Sequence, residues 1–152
     1  MELLKKTLTN CLLAFALISI GFAFGKHSVK QSEPAAGLPQ GNGRFIAVYY
    51  LHSTFRCTTC NTIEKMTFEL LANSYSEELS TGEIVWQACD FQENEALAEQ
   101  FEVAASCVVV AEIEDGNVVD YKRLDEVWTL TDNPQGFNSY ISNFINDYLQ
   151  RL

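Results

Sequence analysis

Residues 44–71 read RFIAVYYLHSTFRCTTCNTIEKMTFELL, and the pattern changes at His52. Arg44 to Leu51 is almost unbroken apolar, β-branched and aromatic sequence, which marks a strand buried on both faces. From Cys60 to Ser74, residues Ile63, Met66, Thr67, Leu70 and Leu71 recur at helical spacing, and Phe68 adds a second apolar side. His52-Ser53-Thr54-Phe55-Arg56-Cys57-Thr58-Thr59-Cys60 joins the two and contains a C-x-x-C.

A C-x-x-C at a strand–helix junction has a physical purpose. Cys57 is expected at the helix N-terminus, where unpaired N–H groups and the helix dipole stabilise a thiolate. Arg56 adds positive charge beside it and favours the reactive, ionised form. Cys60 lies three residues on, about one turn inward, and can close a disulfide. Cys57 is therefore the attacking thiol, and Cys60 resolves the mixed disulfide.

Further along, Glu83 to Asp90 (EIVWQACD) reads as a second strand after a Thr81-Gly82 turn. Asn94 caps a short helix through Phe101. Cys107 to Ile113 is a third buried strand. Asp115-Gly116-Asn117 signals a hairpin, and Val118 to Tyr121 returns as a fourth strand. Leu124, Val127 and Trp128 mark an extra turn. Phe137, Ile141, Phe144, Ile145, Tyr148 and Leu152 form the stripe of a last helix, which Pro134 after Asn133 starts. The order is βαβαββα. It predicts an α/β fold with a mixed four-stranded sheet flanked by helices, in which the first two strands are parallel.

The N-terminal segment has a different character. Lys5 and Lys6 precede an apolar run from Cys11 to Gly25, the layout of an export signal. Residues 1–25 are expected to be a cleaved signal peptide or an N-terminal membrane anchor. As an anchor, the run at 8–25 would tether the chain, although it falls slightly short of the ~20 residues of a spanning helix. Cys11 begins the apolar run instead of ending it, so it is an apolar signal residue and not a lipid-modified one. Residues 26–43 hold Pro34, Pro39, Gly37, Gly41 and Gly43 and read as a flexible linker. Residues 44–152 are left as one domain, in the periplasm or cell envelope.

Composition sets the outer limits. The chain has 152 residues, which excludes a large multidomain enzyme. Its 20 acids against 10 bases exclude a nucleic-acid footprint. Setting aside residues 1–25 leaves a net charge of -11, which identifies no partner by itself. The five cysteines are too few for a disulfide-built miniprotein and suffice for a redox or metal site.

From Arg44 to Leu152 the chain resembles the thioredoxin-like superfamily in element order and in the placement of Cys57 and Cys60. More narrowly, YYLHSTFRCTTCNTIE (49–64) and LDEVWTL (124–130) resemble a bacterial family of thioredoxin-like nitrophenyl-compound nitroreductase subunits. The resemblance implies that Cys57 and Cys60 are the redox pair, that a redox partner protein exchanges electrons with them, and that the role is accessory. The chain has no flavin-binding or nicotinamide-binding fingerprint, so no cofactor is expected.

The departures bear on mechanism. Thioredoxin has Trp before its first cysteine and Gly-Pro inside the motif; here these are Arg56 and Thr58-Thr59. Its buried carboxylate is replaced by Leu51, and the segment before the third strand, Ala104 to Val108, contains no proline. Glu64, four residues after Cys60, is a candidate base for the Cys60 proton; its other reading is a solvated or ion-paired helix carboxylate. His52 is a second candidate relay, with a backbone-bonded loop histidine as its other reading.

Two cysteines remain. In a thioredoxin-like sheet the first strand separates the second from the third. Cys89 and Cys107 would then lie about 10 Å apart and stay unpaired. Cys89 is expected to be a buried apolar residue. Cys107 is expected in the core, with an approach to Cys57 as its alternative. Soft-metal or metalloid binding by Cys57, Cys60 and Cys107, or by the pair with His52, is the competing function. A non-catalytic interaction module stapled by its disulfide is the third.

Overall fold

The computed structural model describes residues 6–7 and 43–152. Apart from residues 6–7, the signal or anchor segment with Cys11, and all of the linker but Gly43, lie outside the described residues. Among the described residues no helix is long and apolar enough to cross a membrane.

Strand β1 (Arg44–His52) is the centre of the sheet, and Phe45 to Leu51 are all buried. It leads into helix α1 (Thr58–Ser74), a short helix α2 (Ser76–Thr81) and strand β2 (Ile84–Asp90). Helix α3 (Glu95–Gln100) precedes the hairpin of β3 (Cys107–Glu114) and β4 (Asn117–Leu124). A 3-10 turn (Asp125–Thr129) and helix α4 (Pro134–Leu149) complete the chain.

The sheet order is β2-β1-β3-β4, with β1 parallel to β2 and the other neighbours antiparallel. This is the order implied by the resemblance. Leu51 pairs with Cys89 on one side and Cys107 on the other, so a whole strand separates those two cysteines. Both are free thiols.

Alternation along β1 divides the interior in two. Ile46, Val48 and Tyr50 pack with Ile63, Leu71, Phe137, Ile141 and Ile145 under α1 and α4. Phe45, Ala47, Tyr49 and Leu51 pack with Leu97 of α3 and its C-cap Phe101 on the other face. Each large side chain fully buried this way contributes roughly 1.5–3 kcal/mol. That is why a strand with no polar face becomes the central one.

Local signals act where the sequence places them. Gly82 takes a φ of 83° to end α2. Asp115 and Gly116, at φ 50° and 78°, form a two-residue hairpin loop whose twist matches its strands. Asn133 caps α4 by accepting from the Gly136 N–H at 3.0 Å.

Three expectations need correction, and one helix, α2, was not among the expected elements. Helix α2 has no buried residue and hence no periodic signature in the sequence. Strand β4 extends to Leu124, three residues beyond Tyr121. The α4 stripe ends with Tyr148, because the helix stops at Leu149 and Leu152 is exposed. Cys89 is half-buried, since β2 is an edge strand with one side open.

Candidate active site

Cys57 is the N-cap of α1 and Thr58 its first residue. Extended backbone at Cys57 turns its side chain back over the first helical turn, and Sγ accepts a hydrogen bond from the Cys60 N–H at 3.1 Å. A serine or aspartate oxygen commonly fills this position; here a sulfur does. Cys57 and Cys60 are joined as a disulfide, with Cα atoms 5.1 Å apart. Cys57 is partly exposed, whereas Cys60 is 4% exposed and belongs to the core under α1. One sulfur is therefore open to a partner and the other is sheltered.

Arg56 is ion-paired to Glu64, and both side chains are 30% exposed. Its guanidinium also lies 5.9 Å from the Tyr50 ring centroid, while its Nε is buried without a partner. The carboxylate proposed as a base for Cys60 is thus engaged by the cation proposed to activate Cys57. Lys65 is directed elsewhere, to Glu69 at 3.7 Å. His52 has the backbone-bonded arrangement, with Nδ1 3.1 Å from the Ser53 carbonyl oxygen, and its ring stands 5.9 Å from that of Tyr50.

The loop that leads from β1 into Cys57 is held from both sides. On the β2 side, the Phe91 N–H donates to the His52 carbonyl at 2.9 Å and the Thr54 N–H donates to Gln92 Oε1 at 2.9 Å. The Thr54 hydroxyl is the first cause holding Asp90 below the usual carboxylate range; the Gln92 and Glu93 N–H groups and His52 act in the same direction against desolvation. On the β3 side, the Ser53 N–H donates to Ser106 Oγ at 3.2 Å, and Trp128 Nε1 donates to the Ser106 carbonyl at 2.7 Å.

Ser106 and Trp128 were not assigned to the site by sequence reasoning. The available signal was the LDEVWTL segment, whose tryptophan carries an N–H that requires an acceptor when partly buried. Tyr50 was also missed. It is fully buried beneath the loop, and burial pushes its phenol up, opposed in part by Arg56 and Ser106.

Cys107 is not brought to the pair. It is fully buried in the cluster under α3, on the sheet face opposite Cys60, and burial pushes its thiol up to about 12. Cys89 packs against that same cluster, and burial raises its pKa as well. Among the described residues no group of three or more His, Cys, Asp or Glu is placed to hold a metal ion. Cys57 and Cys60 are the two cysteines that the fold brings together among the described residues.

No family model and no curated protein sequence matches the chain. Similar solved structures include Trxlp from Edwardsiella tarda, at 16% identity and a TM-score of 0.46, covering 72% of this chain and 92% of that one. The oxidised mitochondrial thioredoxin 3 of Saccharomyces cerevisiae has 17% identity and a TM-score of 0.40, covering 68% and 81%. Fasciola hepatica thioredoxin has 21% identity and a TM-score of 0.38, covering 65% and 83%. Strand order, the parallel β1–β2 pair and the C-x-x-C disulfide capping the helix after β1 define the architecture on their own: the chain has a thioredoxin-like fold.

Proposed function

We propose that this chain is a thiol–disulfide oxidoreductase that exchanges the Cys57–Cys60 pair with a partner protein. The observation that carries the reading is the asymmetry of the pair at a helix N-terminus, with Cys57 accessible and Cys60 buried. In the reduced protein, the Cys57 thiolate attacks one sulfur of a partner disulfide. A Cys57–partner bond forms, the partner S–S bond breaks, and one partner thiolate leaves. Cys60 then loses its proton and attacks the Cys57 sulfur. The internal disulfide closes and the second partner thiolate departs. Two electrons pass to the partner, and its two thiolates take up protons from solvent. The reverse sequence oxidises a partner dithiol.

The chain's own groups support these steps. The Cys60 N–H already points at Cys57 Sγ, and a charged sulfur strengthens that hydrogen bond. The helix N-terminus favours the anion further. Both effects favour the thiolate over the thiol at Cys57 once the disulfide is reduced.

The basic-then-apolar layout of residues 1–25 supports a location in the cell envelope, as an exported or tethered protein. The likeness of residues 49–64 and 124–130 to nitroreductase subunits supports an accessory role in electron delivery. The decisive experiment is a redox titration of the purified protein against glutathione or dithiothreitol. A two-electron couple that disappears in Cys57→Ser is the expected result; a pair that no physiological dithiol reduces would refute the reading. A potential near about -270 mV assigns a reductant and one near about -120 mV an oxidant.

A further inference from the structure

We infer that the partner presents its cysteine on a segment rich in basic and apolar residues. This rests on the thiol–disulfide reading and adds the chemistry of the surface that docks on the pair. The loop from Ser53 to Arg56 is hydrogen-bonded to the segment after β2 through Gln92. On its other side it is bonded to Ser106, and Ser106 in turn to Trp128 of the 3-10 turn. These contacts set the segment around Gln92 and the 3-10 turn on the two sides of the loop that leads into Cys57, and their residues are taken as the rim of the docking surface.

Two large aromatic side chains on this rim face solvent. Phe55, two residues before Cys57, is 85% exposed, and Trp128 is 37% exposed. Monomeric folds gain nothing from an 85% exposed phenylalanine beside a reactive sulfur, whereas a docked apolar side chain would cover it.

The charge of the rim has one sign. The end of β2 supplies Asp90, the segment after it Glu93, and the 3-10 turn Asp125 and Glu126. The adjoining cations are already neutralised: Arg56 by Glu64, and Arg123 by Asp125 at 3.0 Å. Among the described residues Asp90, Glu93 and Glu126 form no ion pair. An acidic partner segment would meet Glu93 and Glu126, which no cation pairs among the described residues, while Arg56 and Arg123 are already engaged. A segment carrying Lys or Arg on either side of its cysteine finds a counter-charge on both sides of the loop. The net charge of -10 reinforces the same preference at longer range.

The test uses full-length reduced protein and three disulfide-linked peptides of matched apolar content. Their cysteine is flanked by lysine, by serine or by glutamate, and bis(2-hydroxyethyl) disulfide serves as a small uncharged oxidant. Exchange is followed by mass spectrometry of alkylated samples. The lysine peptide is expected to react about tenfold faster than the glutamate peptide at low salt, with the gap shrinking in 0.5 M salt as screening rises. In Glu93→Gln/Glu126→Gln the ratio between those peptides is expected to fall below about threefold. Replacing the apolar neighbours of the lysine peptide by serine should slow exchange in the native protein and make little difference in Phe55→Ser. Equal rates, a preference for glutamate, or an undiminished ratio in the double variant would overturn the inference while leaving thiol exchange intact. Failure to react even with bis(2-hydroxyethyl) disulfide would instead overturn the thiol–disulfide reading beneath it.

Discussion

Glu64→Gln separates two roles for one carboxylate. The native pair holds Arg56, the residue before Cys57, against Glu64, with both side chains 30% exposed. Replacing Glu64 with the neutral amide frees the guanidinium, and the anion then nearest along the chain is the Cys57 thiolate of the reduced protein. Two charges about 6 Å apart at an effective dielectric near 20 attract by roughly 2.8 kcal/mol. Exposure and salt reduce that to about 1 kcal/mol at a surface of this kind. The disulfide form has no such anion, so the gain belongs to the dithiol alone. For a two-electron couple about 1 kcal/mol corresponds to roughly 20 mV, and the potential should rise by that amount. Arg56→Met leaves Glu64 unpaired near the thiolate and should move the potential the other way. The assay is a glutathione titration of each variant, read by alkylation and mass shift. If Glu64 instead takes the Cys60 proton, Glu64→Gln would leave the potential unmoved and slow release of a Cys57 mixed disulfide. That pair of results would refute the positioning role assigned to it here.

Two further outcomes follow from the buried charge and the buried thiol. Glu112 is 2% exposed and is held by Arg44 and by Arg151 at 3.6 Å. Arg44→Met should lower unfolding stability by about 2 kcal/mol in urea, and by more than Glu112→Met, because only the first leaves a buried charge short of a partner; the opposite order would discount the pair. Burial raises the Cys107 thiol from 9.0 to about 12, so its contribution to stability is complete below pH 9 and is lost as pH rises towards 12. Unfolding midpoints measured across that window should fall with pH, and less steeply in Cys107→Ala.

Much of the scaffold was legible because its causes are local. The apolar run of β1, the Asp115-Gly116 turn and the Asn133 cap each depend on residues within a few positions of one another. The same holds for Cys57, whose cap bond reaches only to Cys60. The supports of the site are different. Ser53 and Ser106 lie 53 residues apart, and Trp128 reaches back 22 residues to Ser106. Neither contact leaves a spacing pattern in the sequence. Glu64 illustrates a subtler limit. Its position on the helical side of Cys60 was readable, but the partner it selects depends on how the loop folds Arg56 back over Tyr50. Cys89 was misplaced because a strand composition does not reveal which strand lies at the edge.

The buried strand β1 also sets a timetable for local opening. Its amides are bonded on both sides and shielded by both cores, so their hydrogens should exchange only on global unfolding. Three residues past its end, Phe55 stands almost wholly in solvent. The Cys57 sulfur thus follows the best-shielded strand by five residues, on a loop whose Ser53 and Thr54 amides are themselves held by Ser106 and Gln92. A docking segment therefore meets a loop already fixed on both sides, and the strand behind it keeps the helix N-terminus, and the sulfur that caps it, in register.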